Sequence, residues 1–307
     1  MALYLTDISS LKAQYYLAEA IDNLDSSSEK LSSGSRINSA SDDAAGLSIS
    51  DRLTSQINGL NQGNENCEDG IALCQTVEGA LDEITEMLQR IRTLAVQSAN
   101  GTYTDDDREA LQAEADALSE EITRTACQTT YAGETILNGI DGVEDGDSLL
   151  NEDGKIVLQI GANAGDTISI DLSDGFTLEQ ILEYCGIEIG ADSTGTFVSL
   201  DGTTLSISSA ENAEATLGVI DQMISYVDIA RAKLGATETR LESAISSQTT
   251  TATNESEAKS QITDTDYAEE ATTYAEASIQ EEAAAAMLTQ ANARGELILT
   301  LIEGATS

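Results

Sequence analysis

The chain has 307 residues, with 55 acidic and 14 basic side chains, a net charge of −41 and no His, Pro or Trp. The absence of His excludes a Ser-His-Asp triad and an HExxH zinc site, because both need an imidazole. The acidic balance repels nucleic acid and anionic membranes, so we expect neither as a partner. The absence of Pro favours long, uninterrupted helices.

The first segment predicts a helix with a coiled-coil stripe. Leu17, Leu24 and Leu31 are seven residues apart, with Ile21 between them, and such a repeat is typical of coiled coils. The N-terminus has no basic start and no continuous apolar core, so we expect no cleaved signal peptide. We also expect no membrane insertion, because no stretch approaches the roughly 18 consecutive apolar residues of a membrane helix.

A polar stretch, LSSGSRINSASDDAAGLSIS at 31–50, leads into a longer helical pattern. Leu, Cys and Ala recur every seven residues from Leu53 to Ala95, which predicts one helix from near Ala44 to near Gln97. Thr104 or Asp105 is then the expected N-cap of another helix, ending near Thr129. From Tyr131 onward, we expect irregular chain.

The middle of the chain has the period of β-strands. Apolar residues alternate on both sides of a Gly/Asn turn within 155–172, which predicts a β-hairpin. Residues 176–186 suit a short helix. Residues 197–208 predict a second hairpin, with Asp201-Gly202 at its turn.

A heptad stripe returns at Ile220, Val227, Leu234 and Leu241, fades through 246–260, and resumes near the C-terminus. Neither chain end can bury its stripe alone, so we predict that the two ends pack together. The predicted fold is mainly α with a small β part: a long antiparallel coiled-coil helical bundle formed by both chain ends, with β-hairpins in the middle segment. An isolated amphipathic helix is weak in water, so we expect 1–30 and 262–307 to order only against neighbours.

The stretch at 31–50 resembles the bacterial flagellin pattern LSSGxRINSAxDDAAGxxI. The resemblance continues through 64–112, YAGETILNG, LQIGANAGDTISIDL and 230–245, and then through 260–292. Flagellin is the subunit of the helical filament that rotates as a propeller. The resemblance therefore implies a structural protein that is not an enzyme and that forms a homopolymer.

The same resemblance implies three regions. Residues 1–43 with 261–307 would form inner-core helices, disordered before assembly. Residues 44–140 with 210–260 would form an outer helical bundle, and 141–209 a β-hairpin region with a rudimentary exposed segment. The implied location is extracellular, in the flagellum, after export without a cleaved signal peptide. The implied partners are filament cap and hook-junction proteins, and an export chaperone on the C-terminal segment.

We expect no catalytic, cofactor or metal site. The expected assembly contacts lie on the terminal stripes and in the polar stretch: Leu17, Ile21, Leu24, Leu31, Arg36, Ile37, Asp42, Asp43, Leu288, Leu299 and Ile302. Arg90, Leu94 and Glu114 resemble the patch that vertebrate Toll-like receptors bind on some flagellins. The alternative is that Arg90 and Arg92 pair with acids of a neighbouring subunit.

Four cysteines leave two interpretations open. Cys67 and Cys74 occupy stripe positions, where Cys often serves as a small buried apolar side chain. An antiparallel helix pair that turns near residue 102 could instead bring Cys74 close to Cys127. An extracellular protein permits such a disulfide.

Two other functions remain open from sequence. A hook–filament junction protein of the same apparatus would share the two-ended helical plan. A secreted acidic coiled-coil adhesin would form a soluble oligomer without helical polymers. The signatures at 31–50 and 64–112 favour the filament subunit.

Overall fold

The structure, a computed structural model, describes residues 8–139, 149–151, 153–185 and 204–305, with side chains described as far as residue 293. The helices are α1 (Ile8–Ser33), α2 (Ala44–Ser98), α3 (Asp105–Gln128), α4 (Leu178–Tyr184), α5 (Ala210–Thr263) and α6 (Tyr267–Ala305). The strands are β1 (Thr130–Tyr131), β2 (Glu134–Thr135), β3 (Lys155–Gln159) and β4 (Thr167–Asp171). The prediction of a mainly α fold with small β-hairpins is confirmed.

The starts of α2 and α3 follow from their caps. The Asp43 carboxylate accepts the N–H groups of Ala45 at 3.0 Å and Gly46 at 2.9 Å, which would otherwise lack partners in the first turn of α2. At α3, Thr104 and Asp107 form a reciprocal capping box. Of the two residues predicted as N-cap, Thr104 or Asp105, the structure has Thr104.

The β part follows the sequence pattern in one place and departs from it in another. Strands β3 and β4 pair antiparallel, with Lys155 opposite Asp171 and Gln159 opposite Thr167, as the alternation predicts. The chain after α3 was expected to be irregular, but β1 and β2 form a minimal hairpin whose turn holds Ala132 and Gly133 at positive φ. Helix α4 lies where the short helix was predicted, and the predicted hairpin at 197–208 lies largely outside the described residues.

Helix α5 continues beyond the end of its apolar stripe. The apolar stripe fades through 246–260, yet the helix continues to Thr263. The hydroxyls of Thr250 and Thr251 donate to the carbonyl oxygens of Ser246 and Ser247 at 2.9 and 3.0 Å. These side chains therefore satisfy their own hydrogen bonds within the helix, and the segment stays helical without an apolar stripe.

The chain divides into two compact units. The terminal unit comprises residues 1–57 and 253–307, and the middle unit comprises residues 58–252. The middle unit has a core of large side chains from α2, α3, α4, α5, β4 and the segment after β2. The largest fully buried ones are Leu81, Ile84, Leu88, Ile91, Leu94, Ile122, Ile136, Leu137, Ile170, Leu178, Ile181 and Leu182. We therefore expect the middle unit to fold without the terminal unit.

Within the middle unit, the β3–β4 hairpin lies directly on the backbone of α2. The loop after β3 sits so close that a Cβ added at Gly63 would overlap the carbonyl oxygen of Ile160. The Asn66 side-chain amide donates to the carbonyl oxygen of Gln159 at 2.8 Å. Glycine at position 63 therefore lets the hairpin reach the helix.

We expect Gly63→Ala to lower the free energy of unfolding by about 1–3 kcal/mol, because a rigid backbone carbonyl must move aside. Gly79→Ala is the matched control on the same helix, since an added Cβ there meets nothing within 4 Å. That control should raise the free energy of unfolding by about 0.5–1 kcal/mol. Urea denaturation measures both, and equal stability of the two variants would contradict the close packing.

Candidate assembly surface

Helices α1 and α6 of the terminal unit form an antiparallel pair with a seam of small residues. Their Cα atoms approach within 8 Å of each other, and the Ser10 hydroxyl donates to Asn292 Oδ1 at 2.8 Å. The buried side chains of the seam are small, and they recur at multiples of seven residues on each helix. They are Ala13, Ala20 and Ser27 on α1 and Ala277 and Ala291 on α6. Small side chains allow two helices to pack this closely.

The predicted leucines form the other half of the seam on α1. Leu17, Leu24 and Leu31 are half-buried and alternate with the small residues at spacings of four and three, which makes a full heptad pattern. Ile21 was predicted to lie between them in the seam, but its side chain is 40% exposed. Leu288 is half-buried on α6. The side chains of Leu299 and Ile302 lie outside those described.

Large apolar side chains of the terminal unit are exposed. Helical geometry places Ile8, Leu11 and Tyr15 on the face of α1 opposite its seam, and they are 64%, 55% and 67% exposed. Further exposed apolar side chains on the pair are Tyr16, Ile21, Tyr267, Tyr274, Ile279 and Met287. The helix pair thus buries small side chains and exposes large apolar groups, whereas the middle unit buries a core of large side chains. These exposed apolar side chains make the helix pair the candidate assembly surface.

A groove runs beside the seam. Its volume is about 470 Å³, and it is lined by Ser9, Lys12, Ala13, Tyr16, Ala284, Met287, Gln290 and Ala291. Tyr16 and Met287 face it from opposite helices. The groove therefore adds a concave apolar element to the exposed surface of the helix pair.

The polar segment between α1 and α2 is held by bonds within the chain. Asp42 accepts the N–H groups of Ser39 at 2.8 Å and Asn38 at 3.0 Å, and these bonds lower the pKa of the Asp42 carboxyl below its ordinary value. Ile37 is buried, and Arg36 Nη2 donates to the carbonyl oxygen of Ile262 at 2.6 Å. The expected assembly contacts of this segment are thus already engaged inside the subunit.

The three residues of the expected receptor patch do not share a surface. Arg90 pairs with Glu114 at 2.6 Å, and both side chains are about half-exposed. Leu94 is 1% exposed and belongs to the core of the middle unit, so it cannot serve as a surface contact in this subunit. Arg92 pairs with Asp221 at 2.7 Å. Both arginines of the alternative therefore have acidic partners within their own chain, and a contact with acids of a neighbouring subunit stays a prediction.

The four cysteines are free thiols in the structure. Cys74 is buried in the core, and burial raises the pKa of its thiol to about 11. Cys127 is exposed near the end of α3, with its Sγ 3.6 Å from Asn138 Oδ1. The predicted Cys74–Cys127 disulfide is not formed, because one thiol faces the core and the other faces solvent. Buried, free Cys67 and Cys74 match the other interpretation.

The described part of the chain holds neither a metal-binding cluster nor a membrane-spanning helix. No group of three or more acidic or Cys side chains there is arranged to hold a metal ion. No helix among the same residues has the length and apolar character needed to cross a bilayer.

Comparison with known proteins gives one family. Residues 5–141 match the bacterial flagellin N-terminal helical region, and residues 217–302 match the bacterial flagellin C-terminal helical region. The chain is 33% identical to Flagellin A of Vibrio anguillarum, with 97% of this chain and 98% of that protein covered. It is 34% identical to Polar flagellin F of Vibrio parahaemolyticus over the same shares of both chains.

Among solved structures, one has a TM-score above 0.5 and shares the fold of this chain. A protein assigned as a flagellar hook-associated protein from Vibrio parahaemolyticus aligns with a TM-score of 0.54 at 17% identity, covering 73% of this chain and all of that one. Bacillus cereus flagellin aligns with a TM-score of 0.46 at 22% identity, covering 60% and 88%. The sequence matches to both helical regions, and to named flagellins over nearly their whole length, show that the chain belongs to the bacterial flagellin family.

Proposed function

We propose that this chain is the structural subunit of a bacterial flagellar filament, a helical homopolymer that drives swimming. The observation that carries the proposal is the exposed apolar surface of the terminal unit, where α1 and α6 bury alanines and present Ile8, Leu11 and Tyr15 to solvent. Neighbouring copies of the same helices would cover that surface. The family membership agrees with this role.

The proposal extends to how the subunit reaches the filament. The residues 1–43 and 261–307 form the inner core and order on assembly, 44–140 with 210–260 form the outer helical bundle, and 141–209 form a small exposed region. The chain is exported to the cell exterior without a cleaved signal peptide and meets cap and hook-junction proteins at the filament. An export chaperone holds the C-terminal segment. A Toll-like receptor is a further partner only through a surface that excludes buried Leu94.

The two rival functions predict different material. A hook–filament junction protein shares the helical plan, so the fold likeness to a hook-associated protein does not separate it from a filament subunit. Near-complete sequence coverage of named flagellins favours the filament subunit. An adhesin would remain a soluble oligomer. Negative-stain electron microscopy of the polymerised protein separates these outcomes, because only a filament subunit forms long helical polymers alone.

We expect Leu11→Ser to reduce polymerisation strongly while leaving the unfolding of the middle unit unchanged, because Leu11 is 55% exposed on the far face of α1. Its loss removes about 1.5–3 kcal/mol of apolar burial at each subunit contact. Val157→Ser is the matched control, since Val157 is 52% exposed in the middle unit. Sedimentation of polymer measures the effect, and full assembly of the Leu11 variant would contradict the proposed surface.

A further inference from the structure

The seam between α1 and α6 does not select its own register. Its small residues recur every seven positions, and so do Leu17, Leu24 and Leu31 beside them. A slip of α6 along α1 by seven residues, about 10 Å, would again set alanine against alanine at Ala20 and Ala291. Weakly discriminating layers of this kind permit register errors in coiled coils. Something outside the seam must therefore fix the alignment.

A short pairing at one end of the seam has the geometry for this. Residues 34–36 pair with residues 262–265, and we call this pairing the clasp. The Arg36 N–H donates to the Thr263 carbonyl oxygen at 2.6 Å, and the Thr265 N–H donates to the Gly34 carbonyl oxygen at 3.0 Å. Ser35 and Asp264 form an antiparallel bridge between these two bonds. The clasp thus joins parts of the chain more than two hundred residues apart.

The clasp also caps α5 from the opposite end of the chain. The last carbonyls of a helix have no partner within it, and α5 ends at Thr263. Arg36 supplies two of the missing donors, through Nη2 to the Ile262 carbonyl at 2.6 Å and through its backbone N–H to the Thr263 carbonyl. A guanidinium near a helix C-terminus is also favoured by the helix dipole. Arg36 is therefore aligned with one turn of α5 and with no other.

The connections between the clasp and the two helices of the seam are only a few residues long. Helix α1 ends at Ser33, immediately before the clasp, and α6 begins at Tyr267, just after it. Gly34 adopts φ 72°, and a Cβ added there would lie 2.9 Å from the Tyr267 hydroxyl oxygen. The Asp266 carboxylate accepts the Ala268 N–H at 2.8 Å and so fixes the first turn of α6. A shift of α6 by seven residues cannot be absorbed between these points.

We propose that the clasp sets the register of the α1–α6 seam, with Arg36 as its positioning residue. It deepens the proposed function, because the register decides which apolar side chains of the two helices share each face of the subunit. The seam contributes packing, and the clasp contributes alignment. Arg36 thus acts on assembly through α5 and α6, in addition to any contact with a neighbour.

The test uses pairs of engineered cysteines in a full-length chain whose four native cysteines are replaced. Ala13→Cys with Ala291→Cys reports the observed register, because Ser10 bonds to Asn292 and both alanines line the same groove. Ala20→Cys with Ala291→Cys reports a slip of seven residues, and Ala13→Cys with Ala284→Cys reports the opposite slip. A short thiol cross-linker joins the two cysteines of a pair only when they lie close together. The cross-linked monomer is then measured by its altered mobility on non-reducing gels.

The clasp is weakened by Arg36→Met with Thr265→Pro, which removes the side-chain donor and one backbone donor. The matched control is Arg36→Lys with Thr265→Ala, which keeps a cationic donor and the backbone N–H. We expect the ratio of slipped to in-register product to rise by about tenfold in the weakened chain, the shift expected from the loss of two ordinary hydrogen bonds. The control should keep the ratio of the parent.

Each outcome supports or overturns the proposal that the clasp sets the register of the seam. An unchanged ratio in the weakened chain overturns the proposal, and so does the loss of all three cross-links, since the clasp would then form the seam rather than align it. The cross-links are read in both the pelleted and the soluble fraction. Failure of the parent chain to pellet as polymer overturns the proposed function separately, whatever the cross-links show.

Discussion

Removal of residues 261–307 is expected to abolish polymerisation and to leave the middle unit folded. The same result is expected for removal of residues 1–43. In both truncated chains, the far-ultraviolet circular dichroism should retain the helices of the middle unit and a cooperative thermal transition. Sedimentable polymer should fall from most of the protein to background.

The physical reason is the difference between the two units. The middle unit buries large side chains such as Leu88, Ile91 and Ile122 in a continuous core. Helix α1 buries only Ala13, Ala20 and Ser27, and a buried methyl contributes about 0.8 kcal/mol. Ordering a helix costs about 1–2 kcal/mol per residue in backbone entropy. The terminal helices therefore need the apolar surface of neighbouring subunits. A chain that lacks either helix lacks the helix pair that would pack against those subunits.

The control for this experiment is full-length Gly79→Ala, which is purified in the same way and should polymerise like the parent. Addition of the truncated chains to preformed parent polymer should give no elongation. Helical polymers from either truncated chain would show that the terminal unit is not the assembly surface.

Apolar repeats in the sequence predict the long helices, because the buried positions of these helices carry large side chains. The repeat from Leu53 to Ala95 gives the bounds of α2 within one residue, and the Thr104 cap follows from local turn chemistry. An apolar repeat gives no signal where a helix has no apolar stripe. Helix α5 runs through 246–260, a segment rich in Ser and Thr, and the hydroxyls of Thr250 and Thr251 bond to carbonyl oxygens one turn back.

The seam of the terminal unit shows a second limit. Ala13, Ala20 and Ser27 repeat every seven residues, but small side chains are weak markers of a buried face, and Ile21 was assigned to the seam although it is 40% exposed. The β1–β2 hairpin was missed because strands of two residues have no period. Arg36 was selected for its place in a family pattern, while its bond to Ile262 joins distant segments and leaves no local trace in the sequence.

Polymerisation is expected to depend steeply on salt. The subunit carries a net charge of −41, and Arg90, Arg92 and Arg231 are used in ion pairs within the chain. Copies of like charge must therefore approach each other in the polymer. The Debye length falls from about 10 Å at 0.1 M salt to about 3 Å at 1 M. We expect the critical concentration to drop at least about tenfold over this range, measured by sedimentation at fixed pH.

Over a limited range of pH, acid should strengthen the polymer as salt does, because both weaken the repulsion between subunits. Ordinary Asp and Glu side chains titrate near pKa 3.9 and 4.3, roughly, and the sequence pI is about 4.1. Lowering the pH from 7 to about 5 begins to remove negative charge, so the polymer should strengthen at low salt. The salt series repeated at pH 5 should then be flatter than at pH 7. A critical concentration that rises as the pH falls from 7 to 5 would contradict the repulsion argument.

At still lower pH the polymer should lose stability again, because particular carboxylates stabilise the fold of the subunit in their charged form. The Thr104 hydroxyl and N–H lower the pKa of Asp107, and the N–H groups of Ser39 and Asn38 lower the pKa of Asp42. A carboxyl whose folded pKa is lowered stabilises the fold above its unfolded pKa, near 3.9, and loses that contribution as the pH falls through the folded value. Polymer should therefore be most stable between about pH 4 and 5. Asp107→Asn, which cannot titrate, should shift the acid limb of the unfolding curve, and an unchanged limb would exclude the α3 cap as its cause.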